Sequence, residues 1–177
     1  MKGRIENMID ISKISELYEV RLLNDSDIDR MLDLCLRNTL FNHYCRIDPT
    51  AELLLDDMHT TPNGSLMINK YYLGYFKDNE LVAMLDYVDE WPIQDAGYIR
   101  FYIVEKQFQG KQVGTTILRQ LFRYLKAIGR EKVVCAVVAD NPQAEHFWKK
   151  NGFTIIDTFS VDELNLNANI LEKYFVD

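Results

Sequence analysis

Two short stretches of this chain carry residue types whose spacing suits chemistry. The first, Gln109-Gly110-Lys111-Gln112-Val113-Gly114-Thr115, follows an apolar and aromatic run, Tyr98 to Val104, and opens a strongly patterned segment from Gln112. A helix start leaves its leading backbone N–H groups without partners, and the helix dipole puts about half a positive charge there. An anion fits such a position, a pyrophosphate best where no side chain holds it off. Gly110 removes a Cβ from the turn, and Lys111 adds a cation. Gly114 falls on the apolar stripe of the segment that follows, where it lets a helix lie close on a sheet. The same two glycines serve a tight turn and close packing equally well with no ligand at all. Neither a G-x-x-x-x-G-K-[ST] loop nor a G-x-G-x-x-G followed by an acidic residue is present. The second stretch, Asn141 to Phe153 (NPQAEHFWKKNGF), has an asparagine cap, a proline at the first helical position and a glycine stop. Its Ala144, Phe147 and Trp148 share one face. Taken singly, these features are ordinary helix making, and the apolar residues read as core.

The elements that must position these stretches are legible from periodicity. Residues 1–17 set Ile5, Met8, Ile9, Ile14 and Leu17 at loosely helical spacing, a short helix or a leader. YEVRLL (18–23) alternates as a first strand. NDSDID then supplies cap residues for a helix with Ile28, Met31, Leu32, Cys35 and Leu36 inward. Asp48-Pro49 opens a second helix with Leu53, Leu54 and Met58 inward, ended by TTPNGS. YYLGYF and LVAMLDYV, joined by KDNE, predict a hairpin. WPIQDAG breaks the pattern before a third run, YIRFYIVE. A long helix from Gln112 to Ile128 follows, with Val113, Ile117, Leu118, Leu121, Phe122, Leu125 and Ile128 as its stripe and Gly129 as its stop. KVVCAVVA is apolar throughout, as a strand covered on both faces would be. After the helix at 142–150, FTIIDTFSV and NANILEKYFV predict two closing strands. Residues 18–177 thus form one α/β domain on a mixed sheet, with an early antiparallel hairpin and a later strand–helix–strand crossover.

Bulk properties narrow the function. A length of 177 residues suits one buried core, and 47% apolar with 27% charged residues is an ordinary globular balance. A formal net charge of −7 argues against nucleic-acid binding, which needs a basic stripe to neutralise phosphates. Three scattered cysteines, Cys35, Cys45 and Cys135, with no C-x-x-C pair, predict neither a disulfide framework nor a zinc knuckle and suit a reducing, cytoplasmic compartment. His43 beside Cys45 and Cys35 lacks a fourth ligand of recognisable spacing, so no metal is expected. No run approaches the roughly 20 apolar residues of a membrane span. Glu6 and Asp10 interrupt any secretory signal at the N-terminus.

Taken together and in register, the two stretches resemble the GNAT N-acetyltransferase superfamily. That family carries a [QR]-x-x-G-x-[GA] turn after its fourth strand and a later N-x-x-A-x-x-F-Y-x-K-x-G-F segment. Here they correspond to Gln109 to Gly114 and to Asn141 to Phe153, separated by one amphipathic helix and one buried strand. The resemblance spans roughly residues 18 to 175, its specific part 98 to 153. It implies the GNAT fold, a mostly antiparallel sheet with one splayed parallel strand pair and flanking helices. It also implies acetyl-CoA as cosubstrate, with the pyrophosphate on the amides of Gln109, Gly110, Lys111, Gln112, Val113, Gly114 and Thr115. The main chain of Tyr102, Ile103 and Val104 would pair with the pantetheine arm as an added strand. Asn141 and the helix face bearing Phe147 would flank the thiol end.

Two positions depart from the family pattern. Gln112 stands where the family usually has glycine, so its side chain either crowds the phosphate or hydrogen-bonds it. Trp148 replaces the tyrosine proposed to protonate the leaving thiolate, and an indole N–H does not release its proton near neutral pH. Trp148 is expected to pack at the acetyl end while a nearby tyrosine or water supplies the acid. Some family members carry a glutamate base at the position of Tyr98, here a phenol. Strand alternation puts Tyr98, Arg100 and Tyr102 on one face, toward the cleft, and Ile99, Phe101 and Ile103 on the other. Asp86, Glu90 and Asp95 are alternative bases or solvated loop carboxylates, and Arg100 meets either an acceptor carboxylate or a structural partner. The expected reaction is acetyl transfer to a primary amine by direct attack on the thioester, a coenzyme-binding module of the same fold being the alternative. Tyr44, Tyr71, Tyr72 and Trp91 are candidates for an aromatic acceptor cleft, and more ordinarily core. Aminoglycoside, polyamine, amino acid and protein N-terminus all remain compatible as acceptors, and the final strand pair offers a surface for a homodimer.

Overall fold

Alternating and β-branched runs become strands where the pattern predicts them. The computed structural model describes residues 9–162 and 165–175. One seven-stranded sheet contains β1 (Glu19–Leu22), β2 (Lys70–Lys77), β3 (Glu80–Asp89), β4 (Ala96–Val104), β5 (Lys132–Val138), β6 (Thr154–Val161) and β7 (Leu166–Tyr174). Their order is β1-β2-β3-β4-β5-β7-β6, antiparallel throughout except for the β4–β5 pair. The hairpin between β2 and β3 turns on Asp78 and Asn79, both at positive φ (51° and 65°), as a two-residue loop matching the strand twist requires.

Helices cover both faces. α4 (Val113–Ala127) and α5 (Pro142–Lys150) lie on one side, where Ile117, Leu118, Leu121 and Leu125 pack with Leu73, Tyr75, Leu85, Tyr87, Ile99 and Val133. On the other side, α1 (Ile28–Arg37) and α3 (Ala51–His59) bring Met31, Leu34, Leu54 and Met58 onto Tyr72, Met84 and Ile103. Full burial of each such side chain contributes about 1.5–3 kcal/mol. Residues 9–14 seal the α4 side. Ile9 and Ile14 are buried, the Ile9 N–H donates to the Tyr71 hydroxyl (3.2 Å), and that of Asp10 donates to the Tyr124 hydroxyl (2.7 Å).

Several expectations need correction. Among the described residues before β1 there is a 3-10 turn, Ile11–Lys13, and Leu17 is exposed; the first part of the expected helix or leader, with Ile5 and Met8, lies outside the described residues. Leu36 and Leu53 point to solvent and Leu34 points inward. In α1 the buried face runs Met31, Leu34, Cys35, and in α3 it runs Leu54 and Met58, a three- and four-residue spacing that turns Leu36 and Leu53 away. A short helix, α2 (Thr39–Cys45), was not predicted. Among the described residues no helix is long and apolar enough to cross a membrane.

The alternation along β4 also breaks. Pairing with β3 jumps from Tyr87↔Ile99 to Asp86↔Phe101, so Arg100 is the extra residue of a β-bulge. Two residues on the bulged strand opposing one on its partner reverse the facing of everything beyond. Ile99, Tyr102 and Val104 therefore contribute to the α4 side, while Phe101 and Ile103 contribute to the α1–α3 side. The bulge coincides with the end of the β4–β5 pairing, which runs from Ala96↔Lys132 to Ile99↔Cys135 and stops. β4 stays on β3 as far as Val104, and β5 stays on β7 as far as Val138. The two strands diverge, leaving the β4 edge beyond Ile99 without a strand partner among the described residues.

Candidate active site

That divergence opens a cleft of about 790 Å³. At one end lies the start of α4. Gly110 (φ 72°) and Gln112 (φ 63°, ψ 7°) both take left-handed backbone, and Gln112 is the N-cap residue without a side-chain capping bond. The first helical bond runs from the Thr116 N–H to the Gln112 carbonyl (2.9 Å), so helix geometry leaves the Val113, Gly114 and Thr115 amides for an outside partner. By contrast, Thr50 caps α3 and Asn141 caps α5 through their side chains. A Cβ on Gly114 would stand 3.3 Å from Val104 and Phe147 atoms, so this glycine does set the helix close on the strand.

Four contacts brace this end of the cleft. The Tyr102 hydroxyl donates to the Gly114 carbonyl (2.9 Å). The Gln109 amide donates to the Val104 carbonyl (2.8 Å) and to the Asn38 side chain (2.5 Å), tying the turn to the α1–α2 junction. Arg37 pairs with buried Glu105 at 2.6 Å, just past the end of β4. Burial pushes the Tyr102 phenol well above its ordinary value. It is a fixed donor and no proton source near neutral pH.

Along the α5 wall, Trp148 is buried against Phe153, Phe147 and Tyr102, with ring centroids 4.8, 5.5 and 6.1 Å away, and it lines the cleft. Asn141 also lines it, but its side-chain oxygen is taken by the Ala144 N–H (3.0 Å), a helix cap. On the α1–α3 side the wall consists of Leu40, Phe41, Cys45, Ile47, Asp57 and Phe101. Beneath them Asp86 holds buried Lys70 at 2.7 and 2.8 Å, and Arg100 reaches Asp86 (3.3 Å), Asp57 (3.5 Å) and the Thr60 carbonyl (2.9 Å). Burial raises the Asp86 carboxyl and lowers the Lys70 ammonium, while their mutual attraction opposes both shifts. Asp57 is half exposed; burial raises its carboxyl and the Arg100 charge pulls it back.

The cleft thus gathers Tyr102, Ile103, Val104, Gln109, Gly110, Gln112, Val113, Gly114, Thr115, Asn141, Phe147 and Trp148. Lys111 is exposed and Tyr98 stacks on Trp91 at 4.8 Å, and neither lines it. Tyr98 sits before the divergence, where β4 is still paired with β5. Glu90 and Asp95 are likewise outside the lining, whereas Asp86 is inside. Arg100 has structural partners. The supposed aromatic acceptor wall is not made by Tyr44, Tyr71, Tyr72 or Trp91; Phe41 on Phe101 (5.4 Å, edge-on) replaces it. Asp57 was missed although it stands three residues past inward Leu54, at the flank of the buried stripe. Phe41 had no comparable signal, because α2 is too short to show a period.

Comparison with known proteins agrees with this geometry. The model of the acetyltransferase (GNAT) family matches residues 35–153. An acetyltransferase from Thermus thermophilus superposes with a TM-score of 0.72 at 17% identity, over 89% of this chain and 97% of that one. PaiA N-acetyltransferase from Thermoplasma acidophilum, solved in complex with coenzyme A, gives 0.65 at 19% identity over 89% and 99%. The ribosomal-protein-S18-alanine N-acetyltransferase from Escherichia coli gives 0.65 at 12% identity over 90% and 95%. No curated protein matches in sequence. At these identities the structural likeness is one of fold.

Proposed function

Because the chain belongs to the acetyltransferase (GNAT) family, we propose that it transfers the acetyl group of acetyl-CoA to a primary amine. The observation that carries this reading is the divergence of β4 from β5 immediately beside the uncapped start of α4. Amides of Val113, Gly114 and Thr115 suit a diphosphate, and the open edge of β4 from Tyr102 to Val104 suits an amide-bearing arm. The coenzyme supplies an acetyl thioester, whose thiol, with a pKa near 8.5, is a tolerable leaving group unprotonated.

This chain's own residues then do the remainder. Backbone N–H on β4 polarises the acetyl carbonyl. The amine nitrogen forms its bond to the carbonyl carbon as the carbon–sulfur bond breaks, and the nitrogen must shed a proton. Asp86 is buried between Lys70 and Arg100; Asp57 also meets Arg100 (3.5 Å) but stands half exposed, which makes it the carboxylate able to take it. Trp148 gives the acyl end an apolar wall without acting as an acid.

A coenzyme-binding module with little turnover is the second reading, favoured by Trp148 standing where the family has tyrosine. Release of free thiol from acetyl-CoA, measured against a panel of amines, separates the two. Amine-dependent release supports transfer. Calorimetric binding of coenzyme A without such release supports the module, and absence of both removes each reading.

A further inference from the structure

Resting on the transfer reading above, we propose that the acceptor is a primary amine on an apolar carbon skeleton without a carboxylate. Its ammonium is held at Asp57 and its skeleton lies between Leu40, Phe41, Ile47 and Phe101.

The charges at this end of the cleft are unevenly available. Asp57 and Asp86 are the carboxylates lining it among the described residues. Asp86 is 2% exposed, with Lys70, itself 2% exposed, on one side and Arg100 on the other. Asp57, 49% exposed, is the carboxylate an incoming ligand can meet. An amine arriving as ammonium finds an anion there; it attacks once one proton has gone to solvent, and Asp57 takes the further proton released as the nitrogen–carbon bond forms. A carboxylate on the same ligand finds no such welcome, because the Arg100 guanidinium is already engaged by Asp57, Asp86 and the Thr60 carbonyl. A second ammonium some carbons away is also unmatched, since the wall next to Asp57 is hydrocarbon and Asp86 is neutralised within the protein.

That wall is apolar and open to the cleft. Leu40 (49% exposed) and Ile47 (39% exposed) are large apolar side chains left open, and they flank Phe41, whose ring meets Phe101 edge-on at 5.4 Å. The wall is also fixed in place. Asn42 donates to the Cys35 carbonyl (3.0 Å), holding α2 on α1, and Arg46 donates to the Asn165 carbonyl (3.0 Å), tying the end of α2 to the start of β7. An open, braced apolar surface next to one available carboxylate is complementary to a hydrocarbon or aryl chain ending in –NH3+.

The test compares kcat/KM of the intact protein for matched amines at saturating acetyl-CoA. 2-Phenylethylamine and hexylamine are expected to exceed phenylalanine, 1,6-diaminohexane and spermidine by tenfold or more, because an unpaired charge in an apolar pocket discriminates strongly. Phe41→Ala is expected to raise KM for 2-phenylethylamine about tenfold more than KM for ethylamine. Phenylalanine or spermidine matching or beating the apolar amines overturns this acceptor class and leaves acetyl transfer standing. Because that comparison uses the unaltered protein, it decides even where Phe41→Ala fails to fold. Coenzyme binding with no turnover of any amine overturns the transfer reading, and this acceptor with it.

Discussion

Gln112 holds a backbone conformation that suits glycine, and replacing it should be measurable in stability. At φ 63° and ψ 7° its Cβ crowds the following carbonyl, a cost of roughly 1–2 kcal/mol for an L-residue. Gln112→Gly removes that cost but adds freedom to the unfolded chain, which takes back about 0.4–1 kcal/mol. The side chain is exposed and makes no capping bond, so little else is lost. The balance is a gain of about 0.8 kcal/mol at the centre of these ranges, or about 2–3 °C in Tm for a chain of this length. Gln112→Ala keeps the Cβ and is expected to show no such gain. Thermal unfolding of the three proteins by circular dichroism, at one concentration and without coenzyme, reads the difference. A Gln112→Gly protein no more stable than the parent would refute the strain argument. An equal gain in Gln112→Ala would assign the effect to the side chain instead of the backbone.

Other consequences can be checked alongside. Burial raises the phenols of Tyr72, Tyr75, Tyr87 and Tyr102 above the ordinary 10.0. Their contribution to stability is present below pH about 10 and is lost as pH rises toward the folded-state values. Phenolate absorbance should show these four ionising only together with cooperative alkaline unfolding; ordinary titration in the folded protein contradicts it. Lys70→Met leaves buried Asp86 with Arg100 alone and should lower unfolding free energy by about 3–5 kcal/mol in urea titrations. A loss below about 1 kcal/mol would mean the pair is solvated. Trp148→Tyr should raise kcat by restoring an acid beside the thiol end, whereas a sharp fall would assign the position to packing against Phe153 and Phe147.

Much of this arrangement was legible because local pattern and tertiary role coincide. The stripe of α4, the apolar run of β5 and the glycine turn between β4 and α4 each state their environment in residue type alone. Tight packing at Gly114 followed from its position on that stripe. What escaped the sequence depends on pairing between distant segments. The bulge at Arg100 arises from the register of β4 on β3, and no composition signal marks it, so the reversed facing of Phe101 to Val104 was hidden. The commitment of Gln109 to Val104 and Asn38 was hidden for the same reason, since its partner Asn38 lies 71 positions away. Leu36 and Leu53 were misplaced by one position on short helices, where a period has too few turns to fix its phase.

Amide resonances followed by NMR during a titration with coenzyme A test the central claim most directly. The Val113, Gly114 and Thr115 signals and those of Tyr102 to Val104 should move in the parent protein. They should stay still in Gly114→Asp, whose Cβ would press on Val104 and Phe147 and whose charge repels a diphosphate. If both sets of amides in the folded parent protein ignore saturating coenzyme, the divergent strands and the open helix start do not form a coenzyme site.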